Sequence, residues 1–248
     1  MTPSDQGADQ SPFDGVTLGI DFGTTNTVLS VAAPDGTTAV LSVPKDGVEI
    51  TGYRSILCFW QDRETGERTV ESGPWAMDVF VNAPHSTRML QSFKTFAASK
   101  SFTDTPVFGK RFKFEDILTT FLETVAARLG DRLPPKGNRV VIGRPVIFAG
   151  ASPDEALAMQ RYEKAFRAFG FSDIHYVYEP VAAAYFYAQE LKAESTVLVA
   201  DFGGGTSDFS IVRFEVDKSG LSFTPLSQTG IGIAGDTFDY RKIGRAHV

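Results

Sequence analysis

The chain has 248 residues, of which 42% are hydrophobic and 22% charged, and its formal net charge is −6. This composition is typical of a soluble globular protein, and the acidic balance offers no basic surface for nucleic acid or an anionic membrane. The single cysteine excludes an internal disulfide and favours a reducing compartment. No stretch is long enough to span a bilayer, so we expect a cytoplasmic protein without nucleic-acid or membrane partners.

The N-terminal part of the chain is predicted to form strands. Residues 1–14 are polar, lack the apolar segment of a signal peptide and are predicted to be a disordered tail. Strands are predicted at 16–20 and 27–33, and further ones in "TTAVLSVP" and "SILCFWQD". Cys58 lies in the last of these and is expected to be a buried, unreactive thiol. Residues from about 50 to 113 are less regular and are predicted to form an inserted subdomain.

Helical patterning begins after this insertion. Residues 114–129 have apolar side chains at helical spacing, with Gly130 as a stop signal. "RVVIGRPVIF" is typical of a buried strand, and a second helix is predicted to start at the N-cap Ser152 and end at Gly170. A third helix begins at Pro180, and "STVLVADF" and "FSIVRFEV" are again strands. This mixture of strands and helices indicates an α/β fold.

One hairpin pattern occurs twice in the chain. "TLGIDFGTTNTVLSV" and "VLVADFGGGTSDFSIV" both contain a strand, Asp-Phe-Gly, a turn of small residues with hydroxyl groups, and a second strand. Asp21 and Asp201 hold the same place in the two copies, 201 − 21 = 180 residues apart. A repeat of this length is the size of a domain. We therefore predict two related halves, each presenting one such turn.

The two turns combine the features of a phosphate-binding site. Glycines let backbone amides approach an anion closely, hydroxyl groups add donors, and successive amides in a tight turn form an anion-binding nest. A neighbouring carboxylate would repel phosphate unless a cation lay between them, so Asp21, Asp201 and Asp208 indicate Mg²⁺, held mostly through water. The alternative is that both turns only satisfy hairpin geometry, but the second copy, with its aspartate at the same offset, favours phosphate binding.

Four segments resemble those of a known superfamily. "GIDFGTTNT" resembles the first phosphate loop of the actin, hexokinase and chaperone ATPase superfamily, "ADFGGGTSDFSI" its second phosphate loop, and "YEPVAAAYFYA" the segment between them. "GIGIAGDTFD" resembles the stretch that closes the second hairpin region in the heat-shock branch. Over about residues 16–239 the order and spacing are most similar to the DnaK-type heat shock protein 70 (Hsp70) family.

The resemblance implies the actin-like ATPase (ribonuclease H-like) fold, an α/β fold whose two lobes hold a nucleotide in a cleft. It implies an ATPase that hydrolyses ATP to ADP and phosphate with Mg²⁺ and an accompanying K⁺. It also implies a cytoplasmic chaperone of the stress response, with client polypeptides and co-chaperones as partners. Phosphoryl transfer requires positioning and charge neutralisation more than covalent help, which agrees with the residue types in the two turns.

Individual roles also follow from the resemblance. Asp21 and Asp201 would hold the cation, Asp208 would orient the attacking water or a cation, and Glu179 would sense the γ-phosphate and couple it through Pro145 to the other lobe. Thr206 would lie near the γ-phosphate. The phosphate contacts are assigned to the residues of the two turns: Gly23, Thr24, Thr25 and Asn26 in the first, and Gly203, Gly204, Gly205 and Thr206 in the second.

Three assignments have a structural alternative. Glu179 could simply begin the helix at Pro180, and Pro145 could be an edge-strand or bulge proline. Lys94 is the candidate for the lysine that positions the water in this family, but it fits a solvated surface lysine equally well. The candidate catalytic set is therefore Asp21, Lys94, Glu179, Asp201, Thr206 and Asp208.

The resemblance also predicts the domain organisation. Residues 15–194 would form lobe I, and residues 195–248 would be the start of lobe II, so that the chain is expected to be an incomplete nucleotide-binding domain. The hairpin Thr196–Val216 should then expose apolar surface, and nucleotide affinity should be weak.

Two other functions remain open. A filament-forming bacterial relative of actin would share the turns, and a sugar or metabolite kinase belongs to the same superfamily. Asp208 and the "GTTNT" turn favour the chaperone branch, and no substrate-binding acid for a kinase is identified in the sequence.

Overall fold

The computed structural model describes residues 12–188, 191–217 and 220–243, so most of the predicted tail, residues 1–11, lies outside the described residues. The strands of the first half are β1 (Thr17–Phe22), β2 (Asn26–Ala32), β3 (Thr38–Val40), β4 (Val43–Lys45), β5 (Val48–Ile50), β6 (Gly52–Arg54), β7 (Ile56–Gln61), β8 (Arg68–Ser72), β9 (Thr87–Gln91), β10 (Thr105–Val107) and β11 (Lys110–Phe112). Those of the second half are β12 (Val140–Arg144), β13 (Ile174–Tyr178), β14 (Ser195–Phe202), β15 (Ser207–Asp217) and β16 (Gly220–Ile231). The helices are α1 (Gly73–Asn82), α2 (Phe114–Leu129), α3 (Glu155–Phe169), α4 (Glu179–Ala188) and α5 (Gly235–Ile243), with 3-10 turns at Pro84–Ser86, Phe93–Phe96 and Gly130–Arg132.

The first sheet contains the first hairpin and has the strand order β13-β12-β1-β2-β3, with β6 also paired to β2. β1 runs antiparallel to β2 and parallel to β12, which is parallel to β13. Residues alternate along β1, so Leu18, Ile20 and Phe22 enter the core while Asp21 points to the opposite face. This alternation places the carboxylate outside the core at the end of a buried strand.

Helices α2 and α3 cover one face of the first sheet. They pack against each other through the stacked rings of Phe114 and Tyr162, whose centroids are 5.9 Å apart. Tyr162 also meets Phe22 of β1 at 6.0 Å, and Phe22 meets Phe93 at 5.6 Å. The rings of this cluster are almost completely buried. The cluster thus fixes the strand that carries Asp21 and the 3-10 turn that carries Lys94.

Two local predictions are corrected by the structure. The N-cap of α3 is Asp154, whose side chain accepts a hydrogen bond from the Leu157 amide at 2.9 Å, and not Ser152. A cap must lie directly before the first helical residue, and α3 begins at Glu155. The strand β12 ends at Arg144, so Pro145 follows the strand and does not lie in it. Proline has no amide hydrogen to continue a ladder.

The predicted inserted region contains a separate three-stranded sheet and helix α1. Strand β7 lies between β8 and β9 with antiparallel pairing on both sides, and α1 packs on this small sheet. Cys58 is buried there beside Ile56 and Ala76, as predicted. Burial raises the pKa of its thiol, which disfavours the reactive thiolate. No helix in the described part of the chain is long and apolar enough to cross a membrane.

The second sheet has the order β14-β15-β16, with antiparallel pairing throughout. Helix α4 covers one of its faces, where Val181 and Ala184 pack against Val212 and Phe214. The other face is open: Phe202 is 71% exposed, and Leu198 and Ile211, which are paired with each other on the same face, are exposed as well. The predicted exposure of apolar surface on this hairpin is therefore confirmed.

Replacing Phe22 by alanine should strongly destabilise the protein, because the change leaves a cavity between the first sheet and the helices. We expect the free energy of unfolding to fall by about 3–5 kcal/mol, measured by urea denaturation followed by circular dichroism. The matched control is Phe186→Ala, since that ring is 76% exposed, and it should change stability by less than about 0.5 kcal/mol. Equal effects of the two substitutions would show that the aromatic cluster is not the core between the first sheet and the helices α2 and α3.

Candidate functional site

The two repeated turns have the same backbone geometry. In the first, the Gly23 amide donates to the Asn26 carbonyl at 3.0 Å, and in the second the Gly203 amide donates to the Thr206 carbonyl at 2.9 Å. Both pairs are related by the offset of the sequence repeat, 203 − 23 = 206 − 26 = 180. The repeat in sequence is therefore a repeat in structure.

The tips of the two turns lie opposite each other and in close contact. A Cβ atom added to Gly204 would lie 2.5 Å from Thr25 Oγ1, and one added to Gly205 would lie 2.8 Å from Thr24 Oγ1. Real Cβ atoms do not approach other atoms so closely, so larger residues at these two positions would push the turns apart. The glycines of the second turn thus allow both sets of backbone amides and hydroxyl groups to border one space.

Ser55 holds the first turn in place by hydrogen bonds, and it was not predicted as a site residue from the sequence. The Ser55 amide donates to the Thr25 carbonyl at 2.8 Å, and its hydroxyl donates to the Gly23 carbonyl at 2.7 Å. The Thr27 hydroxyl lies 2.9 Å from Ser55 Oγ. Ser55 is separated from the turn by about thirty residues, and no local pattern indicates the contact.

The second turn is held by the start of α5. The amides of Gly235 and Asp236 donate to the carbonyls of Gly203 and Gly204 at 3.1 and 2.9 Å. The Ser207 hydroxyl adds a bond to the Ile233 carbonyl at 2.9 Å. The stretch "GIGIAGDTFD" carried the family resemblance, but it was assigned no site residue. The structure shows that it supports the second turn.

Between the turns lies a cleft with a volume of about 570 Å³. It is lined by both turns and by five of the six candidate catalytic residues, namely Asp21, Lys94, Glu179, Asp201 and Thr206. The structure therefore brings together every candidate site residue except Asp208. Residues that line the cleft but that the sequence did not single out are Arg54, Phe202, Gly235, Asp236 and Asp239.

Lys94 and Glu179 form a buried ion pair in this cleft. Lys94 Nζ donates to Glu179 Oε1 at 2.6 Å, and the side chains are only 7% and 14% exposed. Lys94 is therefore not a solvated surface lysine, and the Glu179 side chain pairs with it in addition to starting α4. Glu179 also passes close to β12, where a Cβ on Gly143 would lie 3.2 Å from its Cγ. The pair joins the first core to the helix on the second sheet.

The positive charge of Lys94 only partly offsets the cost of burying the carboxylates of the cleft. Burial raises the pKa of Glu179, Asp21 and Asp201, and in each case Lys94 opposes the rise without cancelling it. The charges of Asp208 and Asp21 raise the pKa of Asp201 further. Raised carboxylate pKa values mean that the ionised forms are destabilised by the fold. A bound cation would relieve this destabilisation.

Asp208 is paired with Asp201 across the second hairpin and is buried beside it. Its side chain is almost fully buried, and Oδ1 accepts hydrogen bonds from the amides of Val146 and Ile147 at 3.0 and 3.3 Å. It does not line the cleft, and its predicted role in orienting the attacking water or a cation stays a prediction. Instead it joins β15 to the segment after β12. Pro145 is buried just before this segment, and the predicted link from Glu179 through Pro145 stays a prediction.

The donor set suits a cation held through water better than one bound directly. Within residues 12–188, 191–217 and 220–243, no three side chains of His, Cys, Asp or Glu converge closely enough to bind a metal ion directly. Asp21 and Asp201 nevertheless border the same cleft and carry raised pKa values. Mg²⁺ retains several of its waters in proteins, so two carboxylates that face a water-filled space fit it.

The comparisons with known proteins agree with this geometry. The family model described as "Hsp70 protein" matches residues 83–243, well over half of the chain. The chaperone protein DnaK of Mycoplasmopsis synoviae (strain 53) is 28% identical over 236 residues, which cover 90% of this chain and 34% of that protein. The chain thus spans about a third of the length of this curated relative.

A solved structure identifies the fold. MreB 5 of Spiroplasma citri, solved bound to AMPPNP, is 19% identical to this chain and has a TM-score of 0.58. The likeness covers 94% of this chain and 57% of the MreB 5 chain. At this identity the likeness shows the fold alone, and the fold is the predicted actin-like one.

Removing the charge of Asp201 should stabilise the nucleotide-free protein. The pKa of Asp201 is raised in the folded state, so the wild-type protein loses stability as the pH rises through that pKa. Asp201→Asn removes this loss, and we expect a melting temperature higher by roughly 2–4 °C at pH 7.5 in the presence of EDTA. The difference should vanish below about pH 4, where the carboxyl group is protonated in both states.

The control for this experiment is Asp173→Asn. Arg139 and His175 lower the pKa of Asp173, so its removal should give no stabilisation at neutral pH. A melting temperature of Asp201→Asn at or below that of the wild type at pH 7.5 would show that Asp201 is not destabilised by its surroundings.

Proposed function

We propose, from the premise that the chain belongs to the Hsp70 family, that it binds ATP with Mg²⁺ in the cleft between its two turns. We further propose that the complete nucleotide-binding unit hydrolyses ATP to ADP and phosphate. One observation carries the proposal: two turns of the same geometry meet tip to tip, with Asp21 and Asp201 bordering the space between them. A polyphosphate between these turns would receive backbone and hydroxyl donors from both lobes.

The turns would supply the phosphate contacts. In the first, Thr24 and Thr25 offer hydroxyl groups beside the amides that follow Gly23, and in the second Thr206 follows three glycines. The supports below the turns, Ser55 and the start of α5, use the carbonyl groups of the turns and not their side chains. The hydroxyl groups of the threonines therefore stay available to a ligand.

The cleft carboxylates would hold the cation. Asp21 and Asp201 would bind Mg²⁺ through its waters, with K⁺ as an accompanying ion, and the metal would neutralise charge on the phosphates. Lys94 uses one of its three donors on Glu179. Its remaining N–H groups can hold a water or a phosphate oxygen, and Glu179 keeps the ammonium in place. This assigns Lys94 the water-positioning role and Glu179 the role of fixing it.

The chaperone function belongs to the larger protein that the relatives represent. We infer that client polypeptides and co-chaperones are the partners, and that the protein acts in the cytoplasm during stress, because DnaK relatives are named as chaperones. The family match favours this function over filament formation, since the likeness to MreB 5 extends to the fold only.

Asp201→Asn should weaken binding of Mg²⁺·ATP by the chain. Loss of the carboxylate removes one charged contact to the hydrated cation. We expect the affinity for Mg²⁺·ATP to fall by a factor of roughly 10 or more. The measurement is a titration with fluorescent ATP in Mg²⁺, repeated in EDTA, where wild type and variant should differ little. Asp173→Asn should bind as the wild type does. Saturable binding unaffected by Asp201→Asn would contradict the placement of the cation.

A second experiment separates the three functions of the superfamily. Release of phosphate from ATP without any added acceptor should be detected with the complete nucleotide-binding unit, and the protein should stay in the supernatant after ultracentrifugation with ATP. Sedimentation that depends on nucleotide would instead support a filament. Phosphate transfer that requires a sugar or metabolite would support a kinase.

A further inference from the structure

The first lobe carries an arginine at the cleft that neither the sequence motifs nor the proposed function uses. Arg54 is the last residue of β6 and pairs with Asn26, the last residue of the first turn. Side chains of directly paired residues emerge on the same face of a sheet, so Arg54 extends on the side of Asn26, and both line the cleft. The next residue, Ser55, is bonded to the turn itself. Arg54 is thus held at a fixed place beside the phosphate-binding turn.

Arg54 has no charged partner among the described residues, since no ion pair within 4.0 Å involves it. The other basic side chain that lines the cleft, Lys94, is already paired with Glu179. Five acids line the same cleft: Asp21, Glu179, Asp201, Asp236 and Asp239. Of the two basic side chains that line the cleft, Arg54 is therefore the one without an acidic partner among the described residues.

The position of Arg54 also indicates which part of the ligand it meets. The cleft continues past the first turn into a side pocket of about 350 Å³, and both spaces are bordered by Arg54, Thr24 and Thr25. Apart from Ile56, the side pocket is lined by polar residues, including Gln91 and Ser92. It offers no aromatic or extended apolar surface for a base, so the end of the polyphosphate that faces it is the terminal phosphate.

We propose that Arg54 binds the terminal phosphate of ATP and makes the site prefer ATP to ADP. This inference rests on the proposed nucleotide binding and adds a residue to it. A planar guanidinium can donate two parallel hydrogen bonds to a phosphate, whereas a lysine offers a point charge. The guanidinium also offsets Asp236 and Asp239, which would otherwise repel an incoming phosphate on that side. Loss of Arg54 therefore costs affinity for ATP and little affinity for ADP.

The test compares the wild-type chain with Arg54→Gln and Arg54→Lys. Dissociation constants are measured for Mg²⁺ complexes of ADP and of a non-hydrolysable ATP analogue by isothermal titration. We expect the preference for the ATP analogue over ADP to fall roughly 10- to 100-fold in Arg54→Gln, the range for a lost charge-assisted hydrogen bond. Arg54→Lys should keep an intermediate preference.

Arg63→Gln is the matched control, because it removes the same charge from the turn between β7 and β8, outside the cleft lining. It should bind both nucleotides as the wild type does. Thermal melting of each variant verifies that the fold is intact, as expected for an exposed side chain.

Two results would overturn the assignment of Arg54 alone: a preference in Arg54→Gln within about threefold of the wild type, or an equal loss of affinity for both nucleotides. Failure of the wild-type chain to bind either nucleotide would overturn the proposed function, and the role of Arg54 with it.

Discussion

The buried pair of Lys94 and Glu179 is the constraint on which the arrangement of the cleft depends. Burying two charges costs more free energy than their attraction recovers unless the geometry is good, so such a pair is weak evidence for stability by itself. Here it joins a 3-10 turn of the first core to the first residue of α4. It also places one ammonium among three carboxylates whose pKa values all remain raised. Negative charge therefore exceeds positive charge among the residues that line the cleft.

The two repeated hairpins differ at one equivalent position of their second strands. Asp21 pairs with Val28 across the first hairpin, and Asp201 pairs with Asp208 across the second. The two partners are equivalent in the repeat, since 208 − 28 = 180. Val28 is an apolar residue that borders a neighbouring pocket, whereas Asp208 binds the backbone after β12. The second hairpin is consequently tied to the segment after β12 through a carboxylate that the first hairpin does not have at this position.

The features predicted correctly from the sequence are those set by local pattern. The two turns with the strands that flank them, and the helices α2 and α3, depend on residues close together in the chain. Arg54 and Asp236 were not found, because each reaches the cleft through contacts distant in sequence. Ser152 was preferred to Asp154 as the N-cap because both residue types cap helices, and only the position of the first helical turn decides between them. The hydrogen bonds of Asp208 to the backbone after β12 were not predicted, because a motif identifies a residue and not the backbone that its side chain contacts.

Helix α4 connects the chemistry of the cleft to the relative position of the two sheets. It follows β13 of the first sheet without an intervening residue, yet its apolar side packs against Val212 and Phe214 of the second sheet. Glu179 at its start is paired with Lys94, and the adjacent Phe93 is fixed in the first core. Helix α4 therefore has its first residue paired with the first core and its apolar side packed on the second sheet. The second sheet also carries the second turn, so one helix connects the ion pair to both borders of the phosphate-binding space.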